Sequence, residues 1–174
     1  ALTGSPAVVR RDAQINFNWG NGSPAAAIPV DNFSARWTGW LEAPATGRFN
    51  FEAGIDDGIR VFIDGQTVID AWRDQWTTVQ GTPIDLVANR RYPIRVEYYE
   101  RGGGAQIQLR YSGPSTALQV IPRARLYDGS AAPTTLSLRN DTLQVSEEAG
   151  SVQVQVVRNG SAVGTSTVRV RTRN

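Results

Sequence analysis

From Gln14 to Tyr111 strand signals dominate, in runs that alternate apolar and polar residues with a period of two, and no window of useful length repeats apolar residues at helical spacing. Arg48-Phe49-Asn50-Phe51-Glu52 alternates, and Ile59-Arg60-Val61-Phe62-Ile63 is rich in β-branched residues. Ile94, Val96 and Tyr98 are interleaved with Arg95, Glu97 and Tyr99, and Ile107, Leu109 and Tyr111 with Gln108 and Arg110. Alternate residues of a strand point to opposite faces, so each run has one face to bury and one to wet. Asp64-Gly65 supplies a two-residue hairpin turn, and Arg101-Gly102-Gly103-Gly104 requires another sharp reversal. Short strands at close spacing, punctuated by Gly and Pro, predict an all-β antiparallel sandwich or barrel. Phe49, Phe51, Val61, Ile63, Val96 and Leu109 are its expected core. Trp37 and Trp40 read as packing residues. The polar stretch Asp70–Thr78, which contains Trp72 and Trp76, reads as a connection between strands.

The chain has 174 residues, enough for one large or two small domains. The small, turn-rich segment Gly129-Ser130-Ala131-Ala132-Pro133 has linker composition. It divides a first domain, 1–128, from residues 135–174, with the linker at 129–134. Beyond it Thr135–Val145, Ser151–Val156 and the run ending Val168-Arg169-Val170-Arg171 alternate again. Some forty residues cannot close a sandwich of roughly a hundred, so the second domain is expected to be partial.

Composition narrows the chemistry. The sequence has no Cys and no His, which excludes a thiolate nucleophile, a Ser-His-Asp triad and imidazole or thiolate metal ligation. Any metal must be held by oxygen, which points to a hard cation such as Ca2+. All basic residues are Arg; 18 of them face 16 acidic residues without a long basic run, so nucleic acid is not an expected partner. No apolar run is long enough to span a bilayer, and no membrane insertion is expected. Glycoside hydrolysis needs a carboxylate pair across a cleft. No pair stands out, so the expectation is that the chain is not an enzyme and has no catalytic residues.

Four stretches together resemble the PA14, or protective-antigen, domain family. They are Asp31-Asn32-Phe33-Ser34-Ala35-Arg36-Trp37-Thr38-Gly39, Thr46-Gly47-Arg48-Phe49-Asn50-Phe51, Asp56-Asp57-Gly58-Ile59-Arg60-Val61-Phe62-Ile63-Asp64-Gly65 and Tyr92-Pro93-Ile94-Arg95-Val96-Glu97-Tyr98-Tyr99. Their order and spacing match, and the resemblance covers residues 1–128. The tail is similar to the opening of a Calx-beta domain, through Leu143-Gln144-Val145-Ser146-Glu147-Glu148-Ala149-Gly150 and Val156-Val157-Arg158-Asn159-Gly160. This resemblance implies a partial Ig-like sandwich.

The PA14 resemblance implies a calcium-dependent carbohydrate-binding module of a larger secreted or cell-surface adhesin, with glycans as partners. The sugar-binding members hold calcium on a cis Asp–Asp pair, a role that falls here on Asp56 and Asp57. Further oxygens would come from the facing loop: side chains of Glu100 or Gln106, and backbone carbonyls of Gly102 and Gly104, with sugar hydroxyls completing the shell. Those members carry Asn in this region, where this chain has none. Asp56, Asp57, Arg101, Trp72 and Trp76 are the candidate sugar contacts, the tryptophans as stacking platforms. Other readings stand beside these. Asp-Asp-Gly is also an ordinary turn, Glu100 and Gln106 also fit a solvated loop, and the chain also fits an accessory domain of a glycoside hydrolase or a non-binding spacer.

Overall fold

A computed structural model describes residues 2–128 and two further strands, Thr135–Leu138 and Val156–Asn159. The chain divides into two compact units, Ala1–Gly129 and Ser130–Asn174. In the second, the two described strands pair antiparallel. The linker at 129–134, most of the alternating runs beyond it and the Calx-beta-like motif at 143–150 lie outside the described residues.

The first unit is all-β, apart from one 3-10 turn at Arg123–Arg125, and it is a two-sheet antiparallel sandwich as the alternation predicts. Its strands are β1 (Asn16–Gly20), β2 (Phe33–Glu42), β3 (Gly47–Asp56), β4 (Gly58–Ile63), β5 (Gln66–Ala71), β6 (Trp76–Gln80), β7 (Ile84–Leu86), β8 (Arg91–Glu100), β9 (Ala105–Gly113), β10 (Thr116–Val120) and β11 (Leu126–Tyr127). One sheet has six strands in the order β1-β9-β3-β6, with β10 also on β9 and β7 also on β3. The other has five, in the order β11-β2-β8-β4-β5.

Each sheet turns its apolar set inward. Phe49, Phe51, Ala53 and Ile55 of β3 and Ile107, Leu109 and Tyr111 of β9 meet Ile59, Val61 and Ile63 of β4 and Val96 and Tyr98 of β8, all of them buried. The six core residues expected from the alternation are among them. Trp37 packs against the core and stacks on Phe17, while its indole N–H donates to Asp12 Oδ2 at 2.8 Å. The β2–β8 pair runs without a register break from Phe33↔Glu100 to Glu42↔Arg91. Charged pairs such as Arg36–Glu97 (3.0 Å) and Arg91–Glu42 (3.2 Å) cross that seam between neighbouring strands.

Asp64-Gly65 turns β4 into β5 with both residues at positive φ, 51° and 78°, the geometry of a type I′ hairpin. The stretch Asp70–Thr78 is not simply a connection. Asp70 and Ala71 close β5, and Trp76–Thr78 open β6. β6 is an edge strand paired with β3 alone and is largely exposed on both faces, so its sequence, Trp76-Thr77-Thr78-Val79-Gln80, carries no apolar alternation to read.

The core dominates stability. Phe49→Ala should cost about 3–5 kcal/mol in equilibrium denaturant unfolding, whereas Val9→Ala, at a residue 83% exposed, should stay within about 0.5 kcal/mol of wild type.

Candidate metal centre

The chain leaves the six-stranded sheet at Asp56, the last residue of β3, and enters the five-stranded sheet at Gly58, the first of β4. Asp57 alone forms the corner, its N–H donating to the Tyr99 carbonyl at 3.3 Å. The Asp56–Asp57 peptide is cis. Gly58 is required by close approach: a Cβ there would lie 2.0 Å from the Tyr99 ring. β8 ends beside this corner, and its last residue, Glu100, completes a triad. Carboxylate oxygens of Asp56, Asp57 and Glu100 all lie within 4.8 Å of one another.

Two of the three acids are buried. Asp57 is 7% exposed and Glu100 1%. The backbone N–H of Arg101 donates to Asp57 Oδ2 at 2.8 Å. The Tyr98 hydroxyl donates to the Asp56 carbonyl oxygen and lies 3.2 Å from Glu100 Oε2. Glu100 Oε1 is fully buried and has no hydrogen-bond partner. Burial and then the Asp57 charge, with a smaller contribution from Asp56, push the Glu100 carboxyl up to about 7, against the opposing hydrogen bonds from Tyr98 and the Gly102 backbone. Burial and then Asp57 also raise Asp56. Three close carboxylates repel one another when ionised. A hard cation held there would relieve that repulsion and take the stranded oxygen as a ligand.

The glycine loop lies against the triad. A Cβ on Gly104 would come to 3.3 Å from Asp56 Oδ2, so the bare backbone there packs on the carboxylate. Gly103 has φ +100°, a conformation that favours glycine, and its N–H donates to Asp31 Oδ1 at 3.2 Å. Gly102 touches both sides: its backbone hydrogen-bonds to the Glu100 carboxyl, and a Cβ there would come to 3.9 Å from Asp31 Oδ1. Gln106 lies directly opposite Asp56 in the β3–β9 register, with Trp76 opposite Asp56 on the other side. Of the two side-chain candidates, Glu100 joins the carboxylate cluster, and Gln106 flanks Asp56 from the sheet.

The Arg101 side chain pairs with Asp74 instead, Nη1 to Oδ2 at 2.6 Å, and the Tyr99 hydroxyl donates to the same carboxylate at 2.6 Å. Those two hydrogen bonds hold the Asp74 carboxyl below its usual range. Trp72 is half-buried, its ring 4.7 Å from Tyr99 and covered by the Arg60 guanidinium at 4.7 Å. Trp76 is 79% exposed. Neither Asp31 nor Asp74 carries a local sequence signal for these contacts. Asp31 opens the stretch that resembles the family, yet nothing local ties it to a loop some seventy positions away.

Residues 1–123 match the PA14 domain family, and the chain belongs to it. It is 38% identical over 119 residues to the anti-sigma-I factor RsgI3 of Acetivibrio thermocellus, an alignment covering 68% of this chain and 18% of that protein. A solved anti-sigma factor domain-containing protein superposes with a TM-score of 0.69 at 36% identity, covering 71% of this chain and 42% of the other. A PA14 sugar-binding domain from an RTX adhesin gives 0.51 at 25% identity, covering 57% and 56%. This chain thus spans less than half of each anti-sigma relative. None of the three is named as an enzyme. The matched region stops short of residues 135–174, so nothing in it supports the Calx-beta resemblance. Among the described residues no helix is long and apolar enough to cross a membrane.

With chelator present, the buried Glu100 carboxylate, crowded by two other acids and with Oε1 lacking a hydrogen-bond partner, is a liability. Glu100→Gln should raise stability at neutral pH by about 1 kcal/mol or more, read by thermal or denaturant unfolding.

Proposed function

We propose that this module binds carbohydrate through a calcium ion held by Asp56, Asp57 and Glu100. The observation that carries the reading is the buried Glu100 Oε1, without a hydrogen-bond partner and beside two further carboxylates. Buried polar atoms are nearly always satisfied, and a cation would satisfy this one. An all-oxygen donor set favours Ca2+, which takes six to eight oxygens. Backbone carbonyls of the Gly102–Gly104 loop and adjacent hydroxyls of a sugar would supply the remainder. The ion then bridges protein and glycan, and no bond in the sugar is broken. Trp76, in register beside Asp56 and open to solvent, is the stacking surface. Trp72 serves by holding Tyr99, whose hydroxyl, with Arg101, fixes Asp74.

The parent is better read as a regulatory sensor than as an adhesin. The two anti-sigma relatives match at higher identity and over more of this chain than the adhesin domain does. In such a protein the module would meet polysaccharide outside the cell and report its presence.

Calcium titration by calorimetry tests the site. Wild type should bind and gain thermal stability, by about 2.7 kcal/mol at a hundredfold excess over Kd. Asp57→Ala should weaken calcium binding by roughly a hundredfold or more, and glycan binding should fall with it. Absence of calcium binding in wild type, or undiminished calcium-dependent glycan binding in the variant, contradicts the mechanism.

The two tryptophans should separate. Trp76→Ala should lower glycan affinity by about 1 kcal/mol with the melting temperature unchanged. Trp72→Ala should lower the melting temperature measurably. The paired readouts are glycan titration and thermal melting.

A further inference from the structure

The six-stranded sheet has an outward face that the triad touches only at one end, through Asp56. Cross-strand partners share a face, so the register lays out rows across β6, β3, β9 and β1. The first row is Trp76, Asp56, Gln106 and Asn18; the next is Thr78, Gly54, Gln108 and Asn16; beyond it lie Gln80, Glu52 and Arg110. Gly54 sits in the middle row with no side chain. Its φ is not in the left-handed region, so the backbone does not demand glycine. Packing does not demand it either: a Cβ there would meet only Thr78 Oγ1, at an ordinary 3.9 Å. Glycine inside a strand weakens it and often marks close approach of a ligand or another backbone. The result is a shallow trough along β3, walled by Thr78 on one side and Gln108 on the other. It opens beside Asp56 and Trp76.

The far end is closed by a bridge. Glu52 accepts from the Gln80 side-chain amide and pairs with Arg110 at 2.7 Å, so the charges at that end cancel. Between Asp56 with Trp76 at one end and that bridge at the other, the lining is the hydroxyl of Thr78 and the amides of Gln108 and Asn16, of which Gln108 donates to Asn16 at 2.9 Å. From Asp56 to Glu52 the trough runs four residues, about 13 Å, longer than one sugar ring. Flat, rich in hydrogen-bonding groups and without a net charge between the Asp56 end and the Glu52–Arg110 bridge, it fits an uncharged polysaccharide chain better than a polyanion or an apolar protein surface.

We propose that an extended, uncharged glycan lies along β3 over Gly54, with one sugar at the Asp56–Asp57–Glu100 centre. The recognised ligand is thus an internal stretch of polymer and not a single terminal sugar. This rests on the calcium reading for the position of one sugar only; the trough stands on its own geometry.

The test is binding of cello-, xylo- and manno-oligosaccharides, from mono- to hexasaccharide, by calorimetry in calcium and again in chelator, with Gly54→Val and Gly54→Ala. For at least one series, wild-type affinity should rise with length up to about the trisaccharide and then level off. Gly54→Val should fill the trough, keep or raise the melting temperature, and lower oligosaccharide affinity roughly tenfold or more, as when one or two hydrogen bonds are lost. It should leave calcium binding and monosaccharide binding unchanged. Gly54→Ala should fall between. Equal affinity for mono- and hexasaccharides, full oligosaccharide affinity in Gly54→Val, or no oligosaccharide binding in any series overturns the trough. Length-dependent, Gly54-sensitive binding that persists in chelator supports the trough and removes the calcium centre from the account.

Discussion

Between β3 and β4 the chain passes from one sheet to the other in a single residue, and the arrangement of the acidic centre depends on that corner. A longer connection would let the two carboxylates drift apart over the end of the sandwich. Here Asp56 belongs to one sheet, Asp57 to neither, and Gly58 already to the other. The corner is held tight because Tyr99 fills the space above Gly58 while the Tyr99 carbonyl takes the Asp57 N–H. Tyr99 in turn is wedged between Trp72 and Asp74. A polar surface cluster therefore sets the geometry of a buried acidic one, across the end of the sandwich where the two sheets meet.

Burying repelling carboxylates costs stability, and the fold absorbs that cost with an extensive apolar core between the sheets. Phe49, Phe51, Ile55, Ile59, Val61 and Ile107 are completely inaccessible. The strands that supply the acids are central ones: β3 lies between β9 and β6, and β8 between β2 and β4. Two of the three acids thus sit on central strands, and Asp57 is fixed between two of them by its one-residue corner.

The sandwich was legible because β3, β4, β8 and β9 each bury one face, and a period of two records that directly. β6 was not, since an exposed edge strand has no face to hide. The Asp pair was legible from its motif. The choice between Glu100 and Gln106 was not, because both flank the glycine loop in sequence. Their places in the fold separate them: Glu100 ends β8 in one sheet with its side chain buried, whereas Gln106 lies in β9 on the open face of the other. Asp31 and Asp74 reach the site through contacts made only by folding, and the pairing of Arg101 with Asp74 has no local sequence signature. Trp72 and Trp76 read alike in sequence; whether each found a partner in space separates them.

β11 follows the end of the family match and still belongs to the first unit. Leu126 and Tyr127 pair with Leu41 and Trp40 and cover the edge of β2. The Arg91 guanidinium lies 3.4 Å from the centre of the Tyr127 ring, and Arg125 reaches Glu42 at 3.0 Å. Gly39 has no room for a side chain because the Tyr127 carbonyl occupies it. A module excised at the family boundary would expose a bare strand edge, with Glu42 deprived of one of its two arginines. Such an edge invites pairing with another copy. The unit that can be moved between proteins without aggregating therefore extends past its recognisable homology, to at least Tyr127.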